Sequence, residues 1–285
     1  MTLRICVAAP AKINLFLHVT GRRDDGYHLL ESVFVPITLA DTVTLTLRSD
    51  GAIGLLDPPD GLNETNDLAC RAARALQSAS GTGLGVDIQL LKRIPQGAGL
   101  GGGSSDAAST LLGLNQLWKL GRSRRQLQDI AATLGADVPF FVFGLPALAQ
   151  GIGEKLRAVT LPSTYAVLAS PGVSVVINAV FIHPNLTRNT PPLQTPVFRL
   201  DYGRNDLQPV AATLAPDIDR LQHAFVNAGA IPKMTGSGSC VFALAHGVDE
   251  ALRWQAALVQ AGWRAWAVRT LAKHPLCSLG DGATI

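Results

Sequence analysis

Apolar and polar residues alternate with a period of two over residues 86–90, and again over residues 42–47, where threonines separate Val43, Leu45 and Leu47. Alternation of this kind predicts half-buried strands. Residues 3–19 hold two more strand-like runs around Ala8-Ala9-Pro10. In the second run the period puts Ile13, Leu15, Leu17 and Val19 on a core face, and Lys12, Asn14, Phe16 and His18 on the other. Helical spacing takes over at residues 68–76, 107–118, 124–134, 207–225 and 249–260. Strand patterns return at residues 165–171, 173–177, 240–245 and 264–270. Asp25-Gly26 marks a hairpin turn, Ser123 a helix start, and Gly121 and Gly135 helix ends. Pro58-Pro59-Asp60-Gly61 breaks the chain. Residues 144–156 read as a hinge, which divides the chain near residue 155 into units 1–155 and 156–285.

The most informative stretch interrupts this pattern. Pro95-Gln96-Gly97-Ala98-Gly99-Leu100-Gly101-Gly102-Gly103-Ser104-Ser105 lies between a strand pattern and a helical one. Glycines let the backbone approach an anion and turn several N–H groups toward it. A helix start adds unpaired donors and the positive end of its dipole, and Ser104 or Ser105 could cap it or touch a phosphate. The spacing Gly97-x-Gly99-x-x-Gly102 also fits a dinucleotide fingerprint, but a second helical pattern follows where that fold needs a strand ending in an acid. Gly102-Gly103-Ser104 is not the Gly-Lys-Ser/Thr of a Walker loop, and neither His-Arg-Asp nor Asp-Phe-Gly occurs in the chain. A non-Walker kinase loop for nucleotide phosphates is the reading that remains.

Composition narrows the class. Hydrophobic residues are 47% and charged residues 16% of the 285, enough apolar material for a sizeable core. A net charge of +3 without a long basic run suits a small anionic substrate better than nucleic acid. The cysteines Cys6, Cys70, Cys240 and Cys277 lie far apart, which argues against structural zinc and suits a reducing cytoplasm. No apolar run is long enough to cross a membrane, so a soluble protein is expected.

Other positions carry candidate chemistry with a plain structural alternative beside each. Lys12 and Asn14 could touch a substrate or simply face water from an edge strand. Tyr27-His28, next to a turn, could stack on and hydrogen-bond to a base, or pack. Asn66 or Asp67 reads as a helix N-cap. Asp137 sits against the apolar run Val138-Pro139-Phe140-Phe141-Val142-Phe143, a costly place for an acid without a partner. Lys12 is the candidate partner. Met234-Thr235-Gly236-Ser237-Gly238-Ser239 is a second glycine loop, this one entering a strand.

Three segments together resemble the GHMP kinase superfamily: Pro10-Ala11-Lys12-Ile13-Asn14-Leu15, the central glycine loop, and Thr235-Gly236-Ser237-Gly238-Ser239. Gly26-Tyr27-His28 and Gly135-Ala136-Asp137-Val138-Pro139 resemble the branch whose substrate carries cytidine diphosphate. The likeness spans nearly the whole chain and is loose over residues 195–216. It implies an α+β fold of two domains, an N-terminal ATP-binding one and a C-terminal one, with the active-site cleft between them. It further implies ATP phosphates on residues 95–105, carried with Mg²⁺, and Asn66 beside the adenine. Tyr27 and Phe181 would sandwich the cytosine, His28 would bond its edge, and Asn14 would hold substrate. Asp137 would be the general base and Lys12 its partner. No dedicated metal site, nucleic acid or membrane is expected, and the assembly would be a monomer or homodimer. A kinase for homoserine, mevalonate or a sugar, or a nucleotide-binding regulator without chemistry, are the competing expectations.

Overall fold

The computed structural model describes residues 3–58, 61, 63–193, 200 and 202–277. In the first half a long hairpin, β1 (Arg4–Arg22) and β2 (His28–Arg48), is followed by β3 (Ile53–Leu56), α1 (Leu68–Ser80), β4 (Gly85–Leu91) and α2 (Gly102–Leu117). Next come α3 (Arg124–Ala132), α4 (Val138–Phe143), β5 (Ala147–Gln150) and β6 (Lys155–Ala158). The second half runs β7 (Tyr165–Ser170), α5 (Ile177–Ile182), α6 (Gln208–Leu214), α7 (Asp217–Asn227), β8 (Lys233–Met234), β9 (Val241–Ala245), α8 (Val248–Gln260) and β10 (Arg264–Arg269). The α+β expectation holds.

The first sheet has the order β3-β4-β2-β5-β6 with β1 on β2, and the second the order β10-β7-β9-β8. One core lies between the first sheet and α1 to α4, built on Leu45, Ile88, Leu111 and Phe140. A second lies between β7, β9 and the helices of the other half, around Val167, Phe225 and Leu258. A third joins the halves: Ile13, Leu15, Val35 and Ile37 meet Leu168, Phe242 and Val268. The hairpin β1–β2 is therefore buried on both faces. That overturns the alternative in which Lys12 and Asn14 face water from an edge strand, because Lys12, Asn14, Phe16 and His18 are all buried as well. The register also shifts between Pro10 and Lys12 and between Asn14 and Leu17, so strict alternation does not hold there.

Three other expectations are corrected. Residues 173–177 form no strand, because β7 already has β10 and β9 on its two edges; the chain instead runs extended into α5. The helix expected over 207–225 is broken into α6 and α7 at Ala215 and Pro216, where proline supplies no N–H to continue the ladder. Residues 144–156, expected as a hinge, hold β5 and the start of β6, which pair antiparallel and carry the first sheet to Ala158. The turn signal at Asp25-Gly26 is real: Gly26 N–H donates to Arg23 and Arg23 N–H to Tyr27 across the tip. Pro59, Asp60 and the stretch 194–199 of the loosely matching segment lie outside the described residues.

Candidate active site

The glycine loop is held from below by its own apolar residues. Ala98 and Leu100 are buried in the core that joins the two halves, and burying Leu100 contributes about 2 kcal/mol to fixing the loop. Lys12 N–H donates to the Leu100 carbonyl at 3.0 Å, and Cys240 N–H to the Ala98 carbonyl at 3.2 Å. The loop is thus tied to β1 on one side and to the second glycine loop on the other. It ends in Gly101, which caps α2 with φ 71° and without any side-chain hydrogen bond. The first-turn N–H groups of this 16-residue helix are left without a side-chain partner, a ready anion site. Neither serine caps the helix. Ser105 is fully buried with its hydroxyl unpartnered, whereas Ser104 faces the cavities on both sides of the loop.

One of those cavities, about 350 Å³, is lined by Asn66, Asp67, Lys92, Pro95 to Ser104 and Asp106. Eleven of the twelve residues expected to hold nucleotide line it, Ser105 being the exception. Asp67 is the cap of α1, accepting from Cys70 N–H at 3.0 Å. Asn66, exposed beside it, accepts from Asn63 N–H at 2.9 Å. Lys92 was not foreseen. Its ammonium bridges the carboxylates of Asp41 and Asp106 at the cavity wall. Burial raises the Asp106 carboxyl to about 7, with Lys92 opposing the rise and Asp41 adding to it.

The other cavity, about 670 Å³, lies between the halves and shares Gly99, Gly101 and Ser104 with the first. Lys12, Asn14, Tyr27, His28, Asp137 and Phe181 all line it. Every residue expected to bind substrate or carry chemistry is in this one cleft. The Lys12 ammonium lies 3.7 Å from the Asp137 carboxylate, and Asp137 keeps 33% of its side chain exposed while Lys12 keeps 4%. Lys12 also donates to the Asn14 Oδ1 at 2.6 Å and sits 5.0 Å over the Phe34 ring. Asn14 is locked in turn: its Nδ2 donates to the Ser32 hydroxyl at 2.8 Å, and its N–H donates to the Thr235 Oγ1 at 2.9 Å. The second glycine loop thereby reaches the ammonium through one asparagine. Ser32, Phe34 and Thr235 escaped sequence reading as site residues, though the period of two from Ser32 to Phe34 and the quoted second loop were the available signals.

At the far end of the cleft, Tyr27 is exposed and the His28 ring stacks on Phe181 with centroids 4.9 Å apart. Burial, then the charges of Arg188 and Arg22, lower the pKa of His28. Among the described residues no three His, Cys, Asp or Glu side chains cluster as metal ligands.

Known proteins match this chain over most of its length. Residues 67–145 match the family model "GHMP kinases N terminal domain" and residues 195–264 the model "GHMP kinases C terminal". The 4-diphosphocytidyl-2-C-methyl-D-erythritol kinase of Azoarcus sp. (strain BH72) is 47% identical over 277 residues, covering 96% of each chain. The enzyme of that name from Nitrosospira multiformis is 49% identical over 270 residues, covering 94% of this chain and 92% of its own. A crystal structure of 4-(cytidine 5'-diphospho)-2C-methyl-D-erythritol kinase superposes with a TM-score of 0.82 at 39% identity, covering 93% of this chain and 99% of that one. A homoserine kinase from Cytophaga hutchinsonii, 17% identical with a TM-score of 0.68, shares the fold across 95% of both chains. The chain belongs to the GHMP kinases and, among them, to the 4-diphosphocytidyl-2-C-methyl-D-erythritol kinase family.

Proposed function

We propose that this kinase transfers the γ-phosphoryl group of ATP to the 2-hydroxyl of 4-diphosphocytidyl-2-C-methyl-D-erythritol, in the non-mevalonate route to isoprenoid precursors. The observation that carries the reading is the Lys12–Asp137 pair, 3.7 Å apart in a cleft that meets the phosphate-loop cavity at Gly99, Gly101 and Ser104. ATP in the smaller cavity would present its terminal phosphate at that junction. An acceptor alcohol in the larger one would approach from the opposite side, as in-line transfer requires.

Asp137 takes the proton from the acceptor hydroxyl as the bond to phosphorus forms. Lys12 pairs with that carboxylate and faces the charge developing on the transferred group. Asn14 and Phe34 hold the ammonium on its mark, and the 3.7 Å separation leaves it a donor for a phosphate oxygen. Tyr27 and Phe181 offer rings on which the cytosine stacks, with His28 at its edge. An Mg²⁺ carried in on the nucleotide phosphates would have the Ser104 hydroxyl oxygen, which lines both cavities, available as a ligand. That ion would neutralise charge on the phosphates.

Four unpaired cysteines suit the expected cytoplasmic setting.

ADP release is the test, with 4-diphosphocytidyl-2-C-methyl-D-erythritol compared against homoserine, mevalonate and galactose. Turnover confined to the cytidine compound is expected. Asp137→Asn should lose about 10² to 10⁴ in rate while still binding nucleotide. Full activity in that variant would remove Asp137 as the base. Turnover with another alcohol would remove the cytosine site.

A further inference from the structure

The aromatic end of the cleft is built from two segments far apart in the chain, the β1–β2 turn bearing His28 and the helix α5 bearing Phe181. One side chain ties them together. Arg188 Nε donates to the His28 Nε2 at 3.1 Å. Its Nη2 donates to the carbonyls of Phe181 and His183, both at 2.8 Å, and its Nη1 to that of Leu186 at 3.1 Å. Among the described residues it has no carboxylate partner, so the charge is placed against neutral acceptors alone.

A guanidinium has donors and no acceptor. The ring nitrogen facing it must therefore carry a lone pair, and a neutral imidazole must then hold its proton on Nδ1. His28 lines the cleft and its Nδ1 has no partner among the described residues. We propose that Arg188 is the positioning residue of the base-recognition end of the cleft: it holds His28 as the Nδ1–H tautomer and fixes the ring against Phe181, so that the cleft offers a hydrogen-bond donor to a pyrimidine edge.

This inference rests on the cytidine reading given above and deepens it. The N3 atom of cytosine is an acceptor and matches an N–H donor. Uracil has an N–H at position 3 and meets that donor with another donor, which leaves a buried mismatch. Arg188 would thus set base choice through His28 without touching the base. The lowered pKa of His28, caused by burial and then by Arg188 and Arg22, agrees with a ring kept neutral. Lysine cannot replace the planar fork that reaches four acceptors in fixed directions.

The first test needs neither variant nor substrate. Two-bond ¹H–¹⁵N correlation spectra of the full-length enzyme at neutral pH should show His28 with a pyrrole-like Nδ1 and a pyridine-like Nε2. A proton on Nε2 overturns the proposal. Arg188→Met and Arg188→Lys are the second arm. Both should let the His28 pattern shift toward the Nε2–H form and raise KM for the cytidine substrate about tenfold, with kcat changed far less. The preference for that substrate over its uridine counterpart should fall by a similar factor. A variant that folds, keeps the Nδ1–H pattern and keeps both KM and base preference refutes the role. If the wild-type enzyme turned over no cytidine substrate, the functional reading would fail, while the spectrum would still decide the tautomer.

Discussion

Gly99 is the point at which the two halves approach backbone to backbone, and replacing it tests whether the phosphate loop is braced by the second glycine loop. A Cβ at Gly99 would lie 3.1 Å from both the N and the O of Gly238, and closer still to the Thr235 carbonyl. The contact is mutual, since a Cβ on Gly236 would lie 2.5 Å from the Gly99 carbonyl. These neighbours are main-chain atoms, so relief requires the loops to separate by about 1 Å to reach ordinary contact. At that separation the 3.2 Å bond from Cys240 N–H to Ala98 is lost, at about 1–3 kcal/mol for a buried pair. Holding alanine at φ +77° adds about 1–2 kcal/mol. Gly99→Ala should therefore lose about 2–5 kcal/mol and lower Tm by roughly 10 °C. Turnover should fall about a hundredfold, because Thr235 moves away from Asn14, and Asn14 holds Lys12. Scanning calorimetry and coupled ADP release measure the two effects. Gly103→Ala is the control. Its Cβ meets only Leu68 Cδ1, at 3.6 Å, in the first turn of α2. Its Tm should hold or rise slightly, while the ATP KM rises if a phosphate lies on that turn. Parent-like Tm and kcat in Gly99→Ala would refute the bracing.

Two further outcomes follow from buried charges. Lys92→Met leaves Asp41 and Asp106 facing each other without their cation, and urea unfolding should show a loss of about 3–5 kcal/mol; adding Asp106→Asn should recover part of it, and a single variant as stable as the parent would contradict the bridge. His274 is buried and its pKa is lowered to about 3, by burial and then by Arg124. The folded state resists its protonation, so this group favours folding above the unfolded pKa of about 6.5 and withdraws that support as pH falls toward 3. At pH 5 the withdrawal is about 2 kcal/mol relative to pH 8. Asp106, raised to about 7, slopes the opposite way over the same range, so the effect is read as a difference between parent and variant. In His274→Asn an amide oxygen can still accept the Leu276 N–H that His274 Nδ1 now accepts; its stability, relative to the parent, should improve by that amount between pH 8 and pH 5. An unchanged difference would refute the assignment.

What the sequence made legible follows from how local each feature is. The phosphate loop could be read because five glycines between a strand and a helix leave a local pattern, and the structure keeps that order from β4 to α2. The capping at Asp67 and Ser123 is equally local, carried by bonds that span three residues. The Lys12–Asp137 pair is different. Its members stand 125 positions apart, 137 less 12; opposite charge made Lys12 the candidate partner, but no period or spacing could place the two 3.7 Å from each other. Residues 173–177 misled because β-branched side chains favour strands, yet a strand also needs a partner, and the neighbouring β7 pairs with β10 and β9 instead. Arg188 lies further out of reach. It sits in a Pro- and Asn-containing stretch that reads as a surface loop, and its role comes from acceptors on His28, Phe181, His183 and Leu186 that only the folded chain brings around one guanidinium. Thr235 repeats the lesson, since its hydroxyl serves Asn14 across 221 positions. Residues that touch ligand leave motifs, because the chemistry fixes their type and their local backbone. Those that hold such residues in place answer to geometry alone, and in this kinase they come from both halves, Ser32 and Phe34 from the first and Arg188 and Thr235 from the second.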